Sequence, residues 1–204
     1  MGGSLISLKW LHLFRLYPLL LLSACATQAP LHQPADSGSW EAHKASVAAL
    51  RDWQVRGRLA VRTDEEGWSA AFDWKQDDDN YRIRLRGPFG QGAIELEGGD
   101  TGVWLKRAGR PAEFSTRPEI LLEQQSGWRL PVAGLDYWLR GLPDREGDAR
   151  TRLDAAGRLA SLQQHGWQIE YRDYRDYGGY ALPARLDLQR DGVHVKLLVD
   201  EWEL

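Results

Sequence analysis

The chain of 204 residues has one cysteine, Cys25, so no disulfide can form within it. Its stability must come from a packed core rather than from cross-links. Basic residues are not in excess: 26 Lys and Arg face 29 Asp and Glu, a formal charge of −3. A nucleic-acid binder would show a basic patch or stripe, and none is evident. Motifs for covalent or metal chemistry are missing as well. There is no Gly-x-Ser-x-Gly elbow and no His-x-x-x-His pair. Asp77-Asp78-Asp79-Asn80 lacks the following glycine and glutamate of a calcium loop and reads as a solvated hairpin turn. Gly98-Gly99-Asp100 and Tyr177-Gly178-Gly179 lack the strand-to-helix setting of a phosphate loop and read as turns too. His165 in a turn and His194 on a wet strand face are expected to be solvated. No catalytic residue, metal or cofactor is therefore expected.

Acids are also absent from the first 24 residues, where Lys9 and Arg15 precede a short apolar run, Leu16 to Leu22. That run is too short for a spanning helix of ~20 residues, and Pro18 interrupts it. A basic region, an apolar region and small residues at the end make a secretory signal. Leu22-Ser23-Ala24-Cys25 resembles the lipobox of bacterial lipoproteins. That resemblance implies cleavage before Cys25 and acylation of its thiol and new amine. Residues 1–24 are then a signal peptide, and the rest of the chain is periplasmic and tethered to a membrane. Removal of the signal takes away two basic residues and no acid, leaving 24 against 29, a charge of −5.

Residues 26–38, rich in Pro, Gln, Ala and Ser, read as a linker with a span of roughly 20 Å. Residues 39–204 form one domain. Ser39 is expected to cap a helix from Trp40 to Leu50, with Trp40, His43, Val47 and Leu50 on one side. From Asp52 the apolar period becomes two. Trp53, Val55, Gly57, Leu59 and Val61 alternate with Asp52, Gln54, Arg56, Arg58 and Arg62, marking a half-buried strand. Trp68–Lys75, Tyr81–Arg86, Gly92–Glu97, Gly102–Arg107 and Pro111–Ser115 continue as an antiparallel meander. Two helices come next, one opened by a Thr116-x-x-Glu119 capping box and running through Gln125, the other Val132 to Arg140. Ala149–Leu153, Leu159–Gln164, Trp167–Asp173, Leu182–Gln189 and Val193–Trp202 resume the strands, with Tyr174–Tyr180 as a loop. In the last strand Trp202 falls out of phase with Val193, Val195, Leu197 and Val199 unless a bulge lies near Asp200-Glu201. About eleven antiparallel strands with two inserted helices must curl into an open half-barrel. Helices this short need an apolar surface, and the concave side of the sheet is the one available.

One turn stands apart. In Gly87-Pro88-Phe89-Gly90 a large apolar residue sits among glycines. Either Phe89 projects, forgoing roughly 1.5–3 kcal/mol of burial and marking a binding or membrane contact, or it folds back as a plug over the sheet.

The mature chain as a whole resembles the LolB family of outer-membrane lipoprotein receptors. The residues that carry this are the lipobox, Trp53 with Gly57-Arg58-Leu59-Ala60, Phe72-x-Trp74-x-Gln76, and the 87–90 turn. Leu130-Pro131-Val132, Tyr137 through Pro143, Gly166-Trp167, Leu182-Pro183 and Trp202 complete the series. The resemblance implies an open antiparallel barrel with a helical lid over an apolar cavity. It implies a protein that accepts acylated lipoproteins from the periplasmic carrier LolA and inserts them into the inner leaflet of the outer membrane. The chain itself would be anchored on the periplasmic face of that membrane through Cys25; Ala26, rather than aspartate, fits this sorting. Phe89 matches a family position usually held by leucine and used for insertion. Candidate acyl-chain contacts are Phe72, Trp74, Ile83, Leu85, Ile94, Leu96, Leu135 and Trp138, some of which belong to plain core. A monomer without nucleic-acid partners is expected. The alternative is an envelope scaffold lipoprotein that binds a protein partner through Trp-rich surfaces.

Overall fold

A computed structural model describes residues 37–88, 92–126 and 132–204. The signal segment, Cys25, Phe89 and Gly90 lie outside the described residues. Among the described residues, eleven strands form one antiparallel sheet: β1 (Asp52–Arg62), β2 (Gly67–Asp77), β3 (Asn80–Arg86), β4 (Ile94–Gly99), β5 (Gly102–Arg107), β6 (Glu113–Ser115), β7 (Arg150–Leu153), β8 (Leu159–Gln164), β9 (Trp167–Tyr177), β10 (Tyr180–Arg190) and β11 (Val193–Glu203). Helix α1 (Ser37–Ala48) precedes them, and α2 (Pro118–Ser126) and α3 (Val132–Leu139) lie between β6 and β7.

The strand order is β6-β5-β4-β3-β2-β1-β11-β10-β9-β8-β7. Two meanders thus join through β1 and β11, and the sheet stays open, with β6 and β7 as its edges. Because consecutive strands β6 and β7 stand at opposite edges, the chain between them must cross from one side of the curled sheet to the other. α2 and α3 make that crossing.

The burial rhythm follows the sequence alternation. In β1 every second residue from Trp53 to Val61 is buried, and β2 buries Ala70, Phe72, Trp74 and Gln76. The out-of-phase Trp202 is reconciled as expected: the β1–β11 register shifts between Arg56 and Gly57, which skips Asp200, and Trp202 is buried. Its ring packs 5.3 Å from Trp53, which stands 5.7 Å from Trp74. Among the described tryptophans, Trp53, Trp74, Trp138, Trp167 and Trp202 are buried and Trp104 alone is exposed, so they serve mainly as core.

Three local expectations need correction. α1 starts at Ser37, inside the expected linker, and ends at Ala48; Ser39 Oγ donates to the Ala156 carbonyl, tying the helix to the β7–β8 turn. α2 begins at Pro118, where a missing N–H costs nothing, one residue later than a Thr116 cap would place it. Tyr174 to Tyr180 is not a loop: β9 runs to Tyr177 and β10 starts at Tyr180, joined by Gly178-Gly179. The alternation fails at Asp173, whose φ is +55°, so the apolar pattern changes phase while the strand continues.

A candidate apolar site beneath two helices

Inward residues from five strands meet the two crossing helices. Leu59 of β1, Phe72 and Trp74 of β2, Ile83 and Leu85 of β3, Leu96 of β4 and Leu197 of β11 form the floor. Leu122 of α2 and Val132, Leu135 and Leu139 of α3 form the roof. They enclose a cavity of about 40 Å³ in which every lining residue is apolar. Of the side chains expected here, Phe72, Trp74, Ile83, Leu85, Leu96 and Leu135 line it. Ile94 and Trp138 do not. Ile94 is only partly buried, at the end of β4 opposite Leu85. Trp138 is fully buried, but its Nε1 donates to Gln164 Oε1 at 3.1 Å and its ring lies 6.2 Å from that of His165. On α3 the spacing of Val132, Leu135 and Leu139 points one stripe at the cavity; Trp138 anchors the helix instead. Leu59 and Leu197 were legible as inward alternating positions, whereas Leu122, Val132 and Leu139 required knowing how the helices dock.

α3 is held by polar groups at both flanks. Buried Gln164 accepts from Trp138 and from the Asp144 amide, and donates to the Asp144 and Glu146 carbonyls at 3.0 Å. His165 Nε2 meets Asp144 Oδ2 at 2.8 Å, so this histidine is paired and not merely solvated. Arg140 donates to the Leu50 carbonyl at 3.0 Å and to Asp136 Oδ1 at 2.9 Å, and its guanidinium lies over Trp53 and Tyr137. Burial raises the Asp136 carboxyl above its usual range despite that partner. The helix ends in a Schellman motif: Leu142 N donates to the Tyr137 carbonyl and Gly141 N to that of Trp138, both at 3.0 Å. Gly141 has φ +74°, and a Cβ there would meet Tyr174 Oη at 2.8 Å.

At the far end of β3, Gly87 is partly buried and Pro88 exposed. Among the described residues, no group of three or more His, Cys, Asp or Glu side chains is placed to hold a metal ion. No described helix is long and apolar enough to cross a membrane.

Residues 51–202 match the family model described as outer membrane lipoprotein LolB. The chain belongs to the LolB family. LolB sequences named outer-membrane lipoprotein LolB are 41% identical in Pseudomonas putida and 42% identical in Pseudomonas aeruginosa, each over 188 residues. Both alignments cover 91% of this chain and 92% of the relative. Among solved structures, the fold resembles a LolA superfamily protein from Nitrosomonas europaea, with a TM-score of 0.52 at 11% identity, covering 81% of this chain and 93% of the other. A DUF1329 family protein from Desulfovibrio piger gives 0.55 at 8% identity, covering 83% and 93%. At such identities the likeness is one of fold. The residues that carry the LolB resemblance gather in space: Trp53 meets Trp202 edge-on and Trp74 at a tilt, Trp74 donates to Gln76, Arg140 covers Trp53, and Gly141 abuts Pro183.

Proposed function

We propose that this LolB-family chain accepts acylated lipoproteins from a LolA-like periplasmic carrier and delivers them to the inner leaflet of the outer membrane. The wholly apolar space between α2, α3 and the sheet carries this reading. Acyl chains contribute about 0.8 kcal/mol per buried methylene, so multiply acylated cargo needs such a shelter to cross water. The space as it stands has room for about one water-sized group. Uptake therefore requires the helices to lift from the sheet. No bond is made or broken in this process; the work is differential burial, and the chain acts as a carrier rather than an enzyme.

Delivery is assigned to the Gly87-Pro88-Phe89-Gly90 turn, with Phe89 as the membrane contact, and confinement to the outer membrane to lipidation of Cys25. The chain is proposed to act as a monomer on the periplasmic face, with residues 1–24 removed and residues 25–38 serving as tether and linker. The test is transfer of acylated cargo from its carrier to the purified protein, followed by release to liposomes. The unmodified chain should take up and release cargo. Phe89→Glu should fold and take up cargo but not release it. Failure of the unmodified chain to accept any acylated cargo would remove the reading, and a Phe89→Glu variant that unfolds would place Phe89 in the core.

A further inference from the structure

Large apolar side chains strongly exposed to solvent are few among the described residues: Trp104 at 48%, Phe114 at 49% and the C-terminal Leu204. Trp104 and Phe114 are direct cross-strand partners on β5 and β6, with rings 5.0 Å apart. Phe114 also lies across Gly102, where a Cβ would meet its ring at 2.6 Å. The two aromatics end a row on the convex face in which Lys75, Arg82, Glu97, Trp104 and Phe114 oppose one another on successive strands. The neighbouring row, Arg56, Asp73, Arg84, Glu95 and Lys106, alternates in charge and is closed by ion pairs. The aromatic pair is thus an apolar exception on a salt-bridged face.

Beside Trp104 lies an open groove of about 670 Å³, bounded by the β2–β3 and β4–β5 turns. Asp78 is paired with Arg51, and Glu97 with Arg82 and Lys106. Among the described residues Asp77, Asp79 and Asp100 have no ion-pair partner, against one groove cation, Lys75, that also has none. The groove therefore carries a surplus of carboxylate. Next to it, β6 is an edge strand whose outer backbone has no strand partner among the described residues.

We infer that this edge is a docking surface for an extended protein segment bearing lysine or arginine. Exposed aromatic faces attract such cations, the carboxylates add charge complementarity, and an open edge accepts a further strand through its backbone. An anionic lipid surface would be repelled by the same charge. The groove also lies at the Asn80 end of β3, while Gly87 adjoins the other end, about 24 Å away for seven residues of strand. If the Gly87–Gly90 turn meets the membrane, as the delivery reading holds, this surface faces the periplasm.

The experiment uses the full mature chain in non-ionic detergent and a fluorescein-labelled octapeptide of alternating lysine and valine. Fluorescence anisotropy should show saturable binding that weakens with salt, at least tenfold weaker in the Trp104→Ser, Phe114→Ser double variant. Asp77→Asn with Asp79→Asn and Asp100→Asn should weaken it comparably, and a glutamate–valine octapeptide should not bind. These side chains are exposed, so the variants should keep their circular dichroism and still accept acylated cargo. Equal binding by the double variant or equal binding of the glutamate peptide would overturn the inference. A double variant that also loses cargo uptake would overturn it too, because the surface would then belong to the cargo route. Failure of the lysine peptide with cargo uptake intact removes this inference alone; failure of uptake by the unmodified chain removes only the delivery reading.

Discussion

At the scale of single residues, close approach and burial decide what can be changed. Gly57 sits opposite the Asp200 bulge, and a Cβ there would lie 2.1 Å from the Leu198 carbonyl oxygen and 2.8 Å from the Phe72 ring. Backbone cannot yield as a flexible side chain does. Gly57→Ala is therefore expected to cost about 3 kcal/mol, read as a lower urea midpoint. A change below about 0.5 kcal/mol, the size of an ordinary surface substitution, would show that the β1–β11 junction can relax. His43 makes the opposite kind of demand. Its ring lies 6.3 Å from Trp40 and 6.4 Å from Tyr174, and its Nε2 has no hydrogen-bond partner. Burial first, then Arg158, lowers its pKa below the ordinary 6.5, with Asp154 opposing. A depressed histidine binds fewer protons folded than unfolded. Its contribution to stability is complete above 6.5 and lost as pH falls from there through the lowered value. Acidification from about pH 7 to about pH 5 should lower the urea midpoint, and His43→Gln should flatten that part of the profile. An unchanged profile would remove His43 from the acid response.

At the scale of elements, named contacts seat both helices over the cavity. α3 is fastened by Gln164 through Trp138 and by Arg140 through Leu50, and α2 lies against β5 and β6 with Leu122 over the cavity. Gln164→Leu leaves two N–H donors and two carbonyls without their partner, at a cost of about 3 kcal/mol. It should also speed amide exchange in α3. A loss below about 1 kcal/mol would mean that packing alone fixes the helix. The elements differ as well in how far the sequence disclosed them. β5 and β8 were legible to the residue, since turn residues bracket both, although only β5 alternates cleanly in burial. The bulge in β11 was legible because Trp202 is too large to leave outside. The second half of β9 was not, because a left-handed Asp173 shifts the phase without ending the strand. Trp138 shows a related limit: helical spacing gives a stripe, but only docking tells that this residue meets Gln164.

At the scale of the whole molecule, topology makes the site. An open sheet whose edge strands are consecutive in sequence forces its connection across the concave face, and that connection brings apolar α2 and α3 over an apolar floor. The half-barrel and most of the cavity floor were therefore readable from alternation, and of the roof only Leu135 from the α3 stripe. The degree of closure was not, since it depends on how well roof and floor interdigitate. In the proposed carrier mechanism, the inward face of this sheet takes up acyl chains. Alternation allows a direct measurement: a photo-crosslinking amino acid is placed at Leu85, which lines the cavity, or at the adjacent Arg84 on the convex face. Each protein then receives lipoprotein with isotopically labelled acyl chains from its carrier. Crosslinks to the acyl chains from position 85 and not from position 84 are the predicted result. Equal labelling from both positions, or labelling from 84 alone, would contradict it.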